Sequence, residues 1–287
     1  MKFENIKVMN FENAFRGMRN PKNSWHLTDS RFGISNYDCI QDVADDVVSD
    51  WLEYLKYDLN DEEKREKIQD WLFANGILYD GDDILEYFFI GPRDLKLAQQ
   101  LISGGSEHRK FLRQIFVSVD ITAPLYWWKE FDTYKVGTTA NSTSTMHKIT
   151  SKPITLDCFE IDDYNGMNLS LNDGPGSIDW DVKDFIIFLE NLRLKYLETK
   201  DYRYWKELIR WLPESWLQTR TVTMNYENIL SMLHQRRFHK LDEWSGDEEN
   251  YEFESFVKFA RKLPYANLLL LLLEEYLCDE FPVIDFL

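Results

Sequence analysis

The sequence predicts an α+β fold in which a mixed sheet packs with long helices, and three observations carry that prediction. Windows with apolar residues at i, i+3 and i+4 recur along the chain, the spacing of amphipathic helices. Between them lie short apolar or alternating runs bounded by Gly, Pro, Asn or Asp, the pattern of strands. The 287 residues are 44% hydrophobic and 15% aromatic, enough apolar material for one large core. Neither an internal repeat nor a low-complexity linker divides the chain, so a single domain over residues 1–287 is expected.

Taken in order, residues 3–9 alternate loosely and read as a first strand. A short helix follows and must stop before Pro21, because the residue preceding a proline avoids helical backbone. Helical spacing returns at 42–57 and 61–75. In the second of these Ile68, Trp71 and Leu72 share a face, and Asn75-Gly76 supplies the stop. Residues 80–83 (DGDD) read as a loop and 85–90 as an apolar strand. Gly91-Pro92 opens a helix over 93–103, which Gly104-Gly105 closes. Residues 111–119 fit either helix or strand. Pro124 starts a helix reaching 132 that carries Tyr126, Trp127 and Trp128. The stretch 157–181 is a long acidic loop, the best candidate for an insertion. Two amphipathic helices are expected at 182–199 and 202–212, then a short strand at 219–224. A helix follows from Asn225 to Arg237, in a segment of interest that runs on to Trp244. An acidic loop at 246–251 precedes C-terminal helices at 253–263 and 265–278.

Charge narrows the function. With 33 Lys and Arg against 50 Asp and Glu, the formal net charge is −17. A surface that negative repels phosphate backbones, which argues against general nucleic-acid binding. A mononucleotide survives the objection, since a small site needs only a few local cations. Cys39, Cys158 and Cys278 lie far apart, giving neither a disulfide framework nor a zinc site and suiting a reducing compartment. The first residues are charged and lack a continuous apolar stretch. The longest apolar run, 268–273, falls far short of the ~20 residues needed to span a bilayer. A soluble cytoplasmic protein with no membrane partner is expected.

Three stretches could carry chemistry. Asn141-Ser142-Thr143-Ser144-Thr145 offers an amide and successive hydroxyls, which with backbone N–H groups can cradle a phosphate. The same hydroxyls can simply cap the flanking structure. In the segment 225–244, Ile229, Met232 and Leu233 make a buried face, and Arg236, His239 and Lys240 follow at helical spacing. Cations there complement a helix dipole. A guanidinium also offers a fixed two-pronged donor for a pyrimidine carbonyl or a phosphate. In Gly104-Gly105-Ser106-Glu107-His108, Ser106 could cap the next element and Glu107 could polarise His108, with Arg109 and Lys110 on the exposed side. No Ser/His/Asp order, P-loop, HExxH or GxGxxG pattern occurs, and no metal site is expected.

Taken together and in order, these pieces resemble the flavin-dependent thymidylate synthase family over roughly residues 85–265. That family has a His-bearing segment, an Arg-His-Arg signature leading to Ser and then Asn-Glu-x-Ser-x-Arg-Tyr, and later Leu-Pro, a short strand, Asn-x-Arg and Leu-Arg. Here the series is Glu107-His108, Ile121-Thr122-Ala123-Pro124, then Tyr134-Lys135-Val136 at the triplet position. Thr139, 141–147, Leu212-Pro213, Asn225-Tyr226-Glu227, Gln235-Arg236 and Asp242-Glu243 complete it. The departures fall on charge. The triplet keeps one cation in three positions, Ser142 replaces the signature Glu, Met146-His147 the Arg-Tyr, and Glu227 reverses an Arg. The chain is also similar in kind to phage and prophage proteins grouped with that family.

The resemblance implies a thymidylate-synthase-like fold and reductive one-carbon transfer to dUMP or a related deoxypyrimidine nucleotide. FAD, methylenetetrahydrofolate and NADPH would be used. It implies Arg236 as the catalytic residue that polarises the base, with Asn141, Ser142, Ser144 and Arg210 also contacting the nucleotide. Glu107, His108, Lys135, Asn225 and Ser231 would lie on the flavin side, and the active unit would be a homo-oligomer, a homotetramer. The altered triplet keeps an alternative open: a non-catalytic phage relative that binds a nucleotide or a protein and has lost the flavin site.

Overall fold

The computed structural model describes residues 1–81, 84–161, 182–246 and 253–270. In chain order the elements are β1 (Lys2–Met9), α1 (Phe11–Arg19), β2 (Arg31–Ser35), α2 (Tyr37–Leu55), α3 (Glu62–Gly76), β3 (Ile77–Gly81), β4 (Ile84–Phe89), α4 (Pro92–Ser103), β5 (Phe116–Pro124), α5 (Leu125–Phe131), β6 (Thr139–Ser142) and α6 (Thr145–Lys148). Then come α7 (Val182–Thr199), α8 (Tyr202–Arg210), β7 (Leu217–Asn225), α9 (Tyr226–Arg236), α10 (Asp242–Ser245), α11 (Phe256–Arg261) and α12 (Ala266–Leu269). One sheet has the strand order β1-β5-β7-β6 and the other β2-β4-β3, the latter antiparallel. The mixed α+β class follows. No described helix is long and apolar enough to cross a membrane.

By compactness the chain divides into two units. The first comprises Met1–Phe3, Asp120–Thr133 and Ala140–Thr221; the second comprises Glu4–Val119, Tyr134–Thr139 and Val222–Leu287.

The second unit is organised around aromatic residues. In α2 the buried positions Ile40, Ala44, Val47, Val48, Trp51 and Leu52 repeat at helical spacing, and Asn36 caps the helix by accepting from the Cys39 amide. Phe11 stacks on Phe88 of β4, and Trp51 Nε1 donates to the Ile90 carbonyl at 2.9 Å. The buried Tyr265 hydroxyl donates to the Phe88 carbonyl and accepts from the Ile90 amide. Gly76 lies so close to β4 that a Cβ would fall 2.7 Å from the Phe88 carbonyl oxygen, so α3 ends on a residue that must be glycine. At the start of α4, Asp29 accepts from the Arg93 and Asp94 amides, while fully buried Asp94 is bound by Arg19, Thr28 and the Ser30 amide.

In the first unit Ile149, Ile154 and Phe159 form a core with Ile186 and Leu189 of α7 and Leu208 of α8. Glu190 and Arg193 pair at 2.6 Å and bind the Ile154 amide and Thr150 carbonyl, and the Arg193 hydrogen bonds hold the Glu190 carboxyl below the usual carboxylate range.

Several boundaries differ from the sequence reading. β2 has only Phe32 and Ile34 as an apolar signal and is absent from the expectations. Asp80 and Gly81, expected in a loop, end β3, because pairing with β4 overrides the poor strand propensity of Asp and Gly. Residues 111–119 are both things at once, a 3₁₀ turn over Lys110–Gln114 leading into β5. Of the expected 157–181 loop, Leu156–Cys158 is a 3₁₀ turn and Phe159 bridges to Trp216; 162–181 lie outside the described residues, as do 247–252 and 271–287.

Candidate functional site

β7 hands the chain directly to α9 through Asn225. Its side chain accepts from the Asn228 amide at 3.0 Å, and the Asn228 side chain accepts from the Asn225 amide at 3.1 Å. This reciprocal box satisfies the first-turn donors that a helix leaves open. Tyr226, Ile229, Leu230, Met232 and Leu233 are buried, and the Tyr226 hydroxyl donates to the Pro264 carbonyl at 2.6 Å. Cap and buried face together fix the rotation of α9, and so the direction in which its last residue, Arg236, leaves it.

The helix stops at Arg236. The expected end at Arg237 is met within one residue, but the helical spacing of Arg236, His239 and Lys240 is corrected: 242–245 form the separate α10, and His239 and Lys240 lie beyond the α9 end rather than on a shared face with Arg236. His239 instead accepts from the Leu241 amide through Nδ1, which turns the chain.

The turn that bears the altered triplet lies along α9. The Val136 carbonyl accepts from Asn228 Nδ2 at 2.7 Å. Gly137 has φ +80°, and a Cβ there would stand 3.0 Å from side-chain atoms of Asn225 and Asn228, so backbone conformation and space both select glycine. With its turn clamped at the first turn of α9, Tyr134 reaches the last. Its hydroxyl accepts from Arg236 Nε at 2.9 Å and donates to Gln235 Oε1 at 3.0 Å; Gln235 Nε2 donates to Ser231 Oγ at 3.3 Å. The guanidinium carbon lies 5.7 Å from the Tyr134 ring centre and 5.3 Å from that of fully buried Trp244. A partly desolvated guanidinium beside two adjoining aromatic rings, whose centres lie 6.3 Å apart, suits a planar, carbonyl-bearing ligand.

Glu227, in the first turn of α9, has a cation partner. Arg109 Nε binds both of its carboxylate oxygens, at 2.9 and 3.1 Å, and both side chains are largely buried. Arg109 therefore does not lie on the exposed side as its sequence context implied. Glu107 is exposed and paired with Lys110, and His108 and Lys135 are exposed. Ser106 caps nothing; Arg109 holds the position before the 3₁₀ turn.

The remaining site residues named from sequence fall in the first unit. Asn141 and Ser142 are exposed in β6. Ser144 is the N-cap of α6, accepting from the His147 amide at 3.2 Å. Thr143 donates through its amide and its hydroxyl to the Thr219 carbonyl, and Gln218 Nε2 reaches the Thr143 carbonyl and Thr145 Oγ1. Arg210 is exposed and paired with Glu207. The structure thus gathers Ser231 and Arg236 through Gln235 and Tyr134, and puts Asn225 at the opposite end of the same helix. Trp244 and Asn228 were missed as site residues. The sequence signal for Asn228 was its three-residue spacing from Asn225, the spacing of a capping box.

Among the described residues no group of three His, Cys, Asp and Glu side chains gathers as a metal site would require.

The fold is that of the flavin-dependent thymidylate synthases. Thymidylate synthase X (ThyX) from Helicobacter pylori, in a crystal structure with FAD and dUMP, matches 94% of this chain over 97% of its own length, with a TM-score of 0.52 and 12% identity. A second Helicobacter pylori ThyX structure matches over 62% of this chain and 83% of that one, with a TM-score of 0.40 and 14% identity. The UMP/dUMP methylase PolB from Streptomyces cacaoi, bound with 5-Br dUMP, matches over 83% and 93%, with a TM-score of 0.38 and 15% identity. The sequence matches no protein-family model and no curated protein.

Proposed function

We propose that this chain binds a deoxypyrimidine monophosphate of the dUMP type, with Arg236 meeting a carbonyl of the base. The observation that carries this reading is the setting of Arg236, a guanidinium tied to Tyr134 and flanked by Trp244. It stands at the position that the family resemblance assigns to pyrimidine recognition. The likeness to ThyX, a protein whose structure holds FAD and dUMP, supports the ligand class. Uracil O2 and O4 accept from guanidinium N–H donors, and a charge-assisted bond of that kind is strong where water is partly excluded. The same resemblance assigns Asn141, Ser142 and Ser144 to nucleotide phosphate and Arg210 to a supporting cation; all four lie in the first unit, and their part is proposed independently of Arg236.

The residues that would hold a flavin do not fit one. FAD carries a pyrophosphate, which needs converging donors and positive charge. Of the assigned residues, Asn225 uses its amide oxygen to cap α9 and Ser231 is bonded to Gln235. Glu107 adds negative charge and is paired with Lys110, and His108 is exposed. Lys135 alone adds a cation. NADPH and methylenetetrahydrofolate enter only alongside a flavin, so the nucleotide-binding reading is preferred. A second reading, FAD-dependent reductive one-carbon transfer to dUMP, is favoured by the fold match alone. The homotetramer and a role in phage nucleotide metabolism are proposed from the same resemblance, and a cytoplasmic location from the scattered cysteines.

Calorimetric titration of the full chain with dUMP tests the first reading. Arg236→Ala is expected to weaken binding roughly 10- to 150-fold, the loss of a hydrogen bond to a charged group. Unchanged affinity in that variant would move the base contact elsewhere. Titration with FAD separates the two readings, since a bound-flavin spectrum favours the enzyme and a colourless protein that binds no added FAD removes it.

A further inference from the structure

We propose that Tyr134 is a positioning residue for Arg236, an inference that rests on the nucleotide-binding reading above. The triplet position keeps one cation in three in this chain, and at its first position stands a side chain aimed at the arginine on α9. Tyr134 is held from both sides. Its own carbonyl accepts from the Thr138 hydroxyl, and two residues on, the Val136 carbonyl is taken by Asn228. Gly137 closes the turn in a conformation that a side chain would obstruct. The ring is therefore delivered by a clamped turn, not by a mobile loop.

At its far end the hydroxyl stands in a chain of donors running in one direction. Arg236 Nε donates to Tyr134, Tyr134 to Gln235, and Gln235 to Ser231, at 2.9, 3.0 and 3.3 Å. Because a guanidinium donor cannot reverse, the Arg236 bond fixes the tyrosine as acceptor there and so as donor to Gln235. Arginine has a long, rotamer-rich side chain, and a bidentate contact to a base carbonyl needs its fork at one angle. The Nε bond sets that angle, while Trp244 backs the guanidinium from the α10 side. Tyr134 thus acts through Arg236 and on base recognition. Ser231, assigned by resemblance to the flavin, anchors the end of this chain instead.

Tyr134→Phe keeps the ring and removes only the hydroxyl. Titrations of the full chain with dUMP and with dCMP, for wild type, Tyr134→Phe and Arg236→Ala, are paired with melting curves. In Tyr134→Phe the dUMP affinity should fall about tenfold. The preference for dUMP over dCMP should shrink with it, because the contact proposed for Arg236 is the O4 carbonyl of uracil, and the 4-amino group that replaces it in cytosine cannot accept from a guanidinium. Melting should stay close to wild type. A merely structural loosening would weaken both ligands equally and leave that preference unchanged, which would overturn the proposal. Wild-type affinity and preference in Tyr134→Phe, alongside loss of binding in Arg236→Ala, would overturn it while leaving the nucleotide reading intact. If wild type binds no dUMP, the nucleotide reading fails and this proposal fails with it.

Discussion

The corner formed by Tyr134 and α9 differs from the hydroxyl-rich stretch 141–147 in what holds each in place. At the first, a capping box, a clamped glycine turn and a buried helix face all converge on Arg236. In the second, exposed side chains lie along β6 and over the four-residue α6, and their hydrogen bonds are mostly local caps and backbone contacts. As sequence the two looked comparable, each a cluster of polar residues with a plausible ligand. The difference teaches that a polar cluster becomes a candidate site when buried scaffolding fixes it, because fixed geometry is what a ligand can be selected against. It also separates their mutational behaviour: breaking the buried pairs and buried helix face of the first region carries a stability cost, and damage to the exposed second should not.

The largest effect expected on this contrast is alkaline. Tyr226, the first residue of α9, and Tyr265 are fully buried, and burial pushes both hydroxyls well above the usual value near 10. A group whose folded pKa is raised contributes stability that is complete below the unfolded value. That stability is lost as pH rises toward the folded value. Above pH 10 each buried hydroxyl kept neutral costs about 1.4 kcal/mol per pH unit, so the pair costs about 2.7. Circular dichroism and tyrosinate absorbance should therefore show cooperative unfolding above pH 10, moved upward in Tyr226→Phe. Smooth titration of all 15 tyrosines without unfolding would contradict the burial argument.

Much of this was legible in the sequence, and the reasons are local. α2, α3 and α4 declare themselves through apolar spacing and Gly or Pro stops, and Arg236 was singled out by its place after the Ile229–Met232–Leu233 face. Its partners were not legible, because Tyr134 reaches it across 102 positions of sequence and Trp244 sits past a helix end that periodicity could not place. The inward turn of Arg109 was hidden for the same reason: its partner Glu227 is 118 positions away. β2 was missed because five residues with two apolar members carry too little pattern until β4 pairs with them.

A smaller effect should follow from Glu227→Ala. The substitution leaves Arg109 largely buried without its carboxylate, a loss of about 2 kcal/mol given that both side chains keep some solvent contact. Thermal melting of the single variant against Arg109→Ala/Glu227→Ala checks it. The double variant should recover part of the loss, because the penalty lies in the stranded charge more than in the missing bond. Equal melting temperatures for wild type and Glu227→Ala would show the pair to be ornamental, and would remove one of the contacts that distinguish the α9 corner.

The smallest stability effect is expected in the other region, and it makes the contrast decisive. Ser144→Ala removes the cap of a helix of only four residues at an exposed site, and Asn141→Ala and Ser142→Ala each remove an exposed side chain. Each should shift stability by no more than about 0.5 kcal/mol. Because the fold is indifferent to these positions, any loss of dUMP affinity in them can be assigned to a lost contact, which is seldom possible at the buried α9 corner. Phosphate contact predicts that the variants weaken dUMP several-fold and leave deoxyuridine, the same base and sugar without the phosphate, unaffected. Equal weakening of both ligands would place the role of these residues elsewhere than at the phosphate. Unchanged binding of both would make the stretch a capped surface turn and leave Arg236 to carry recognition from its own region.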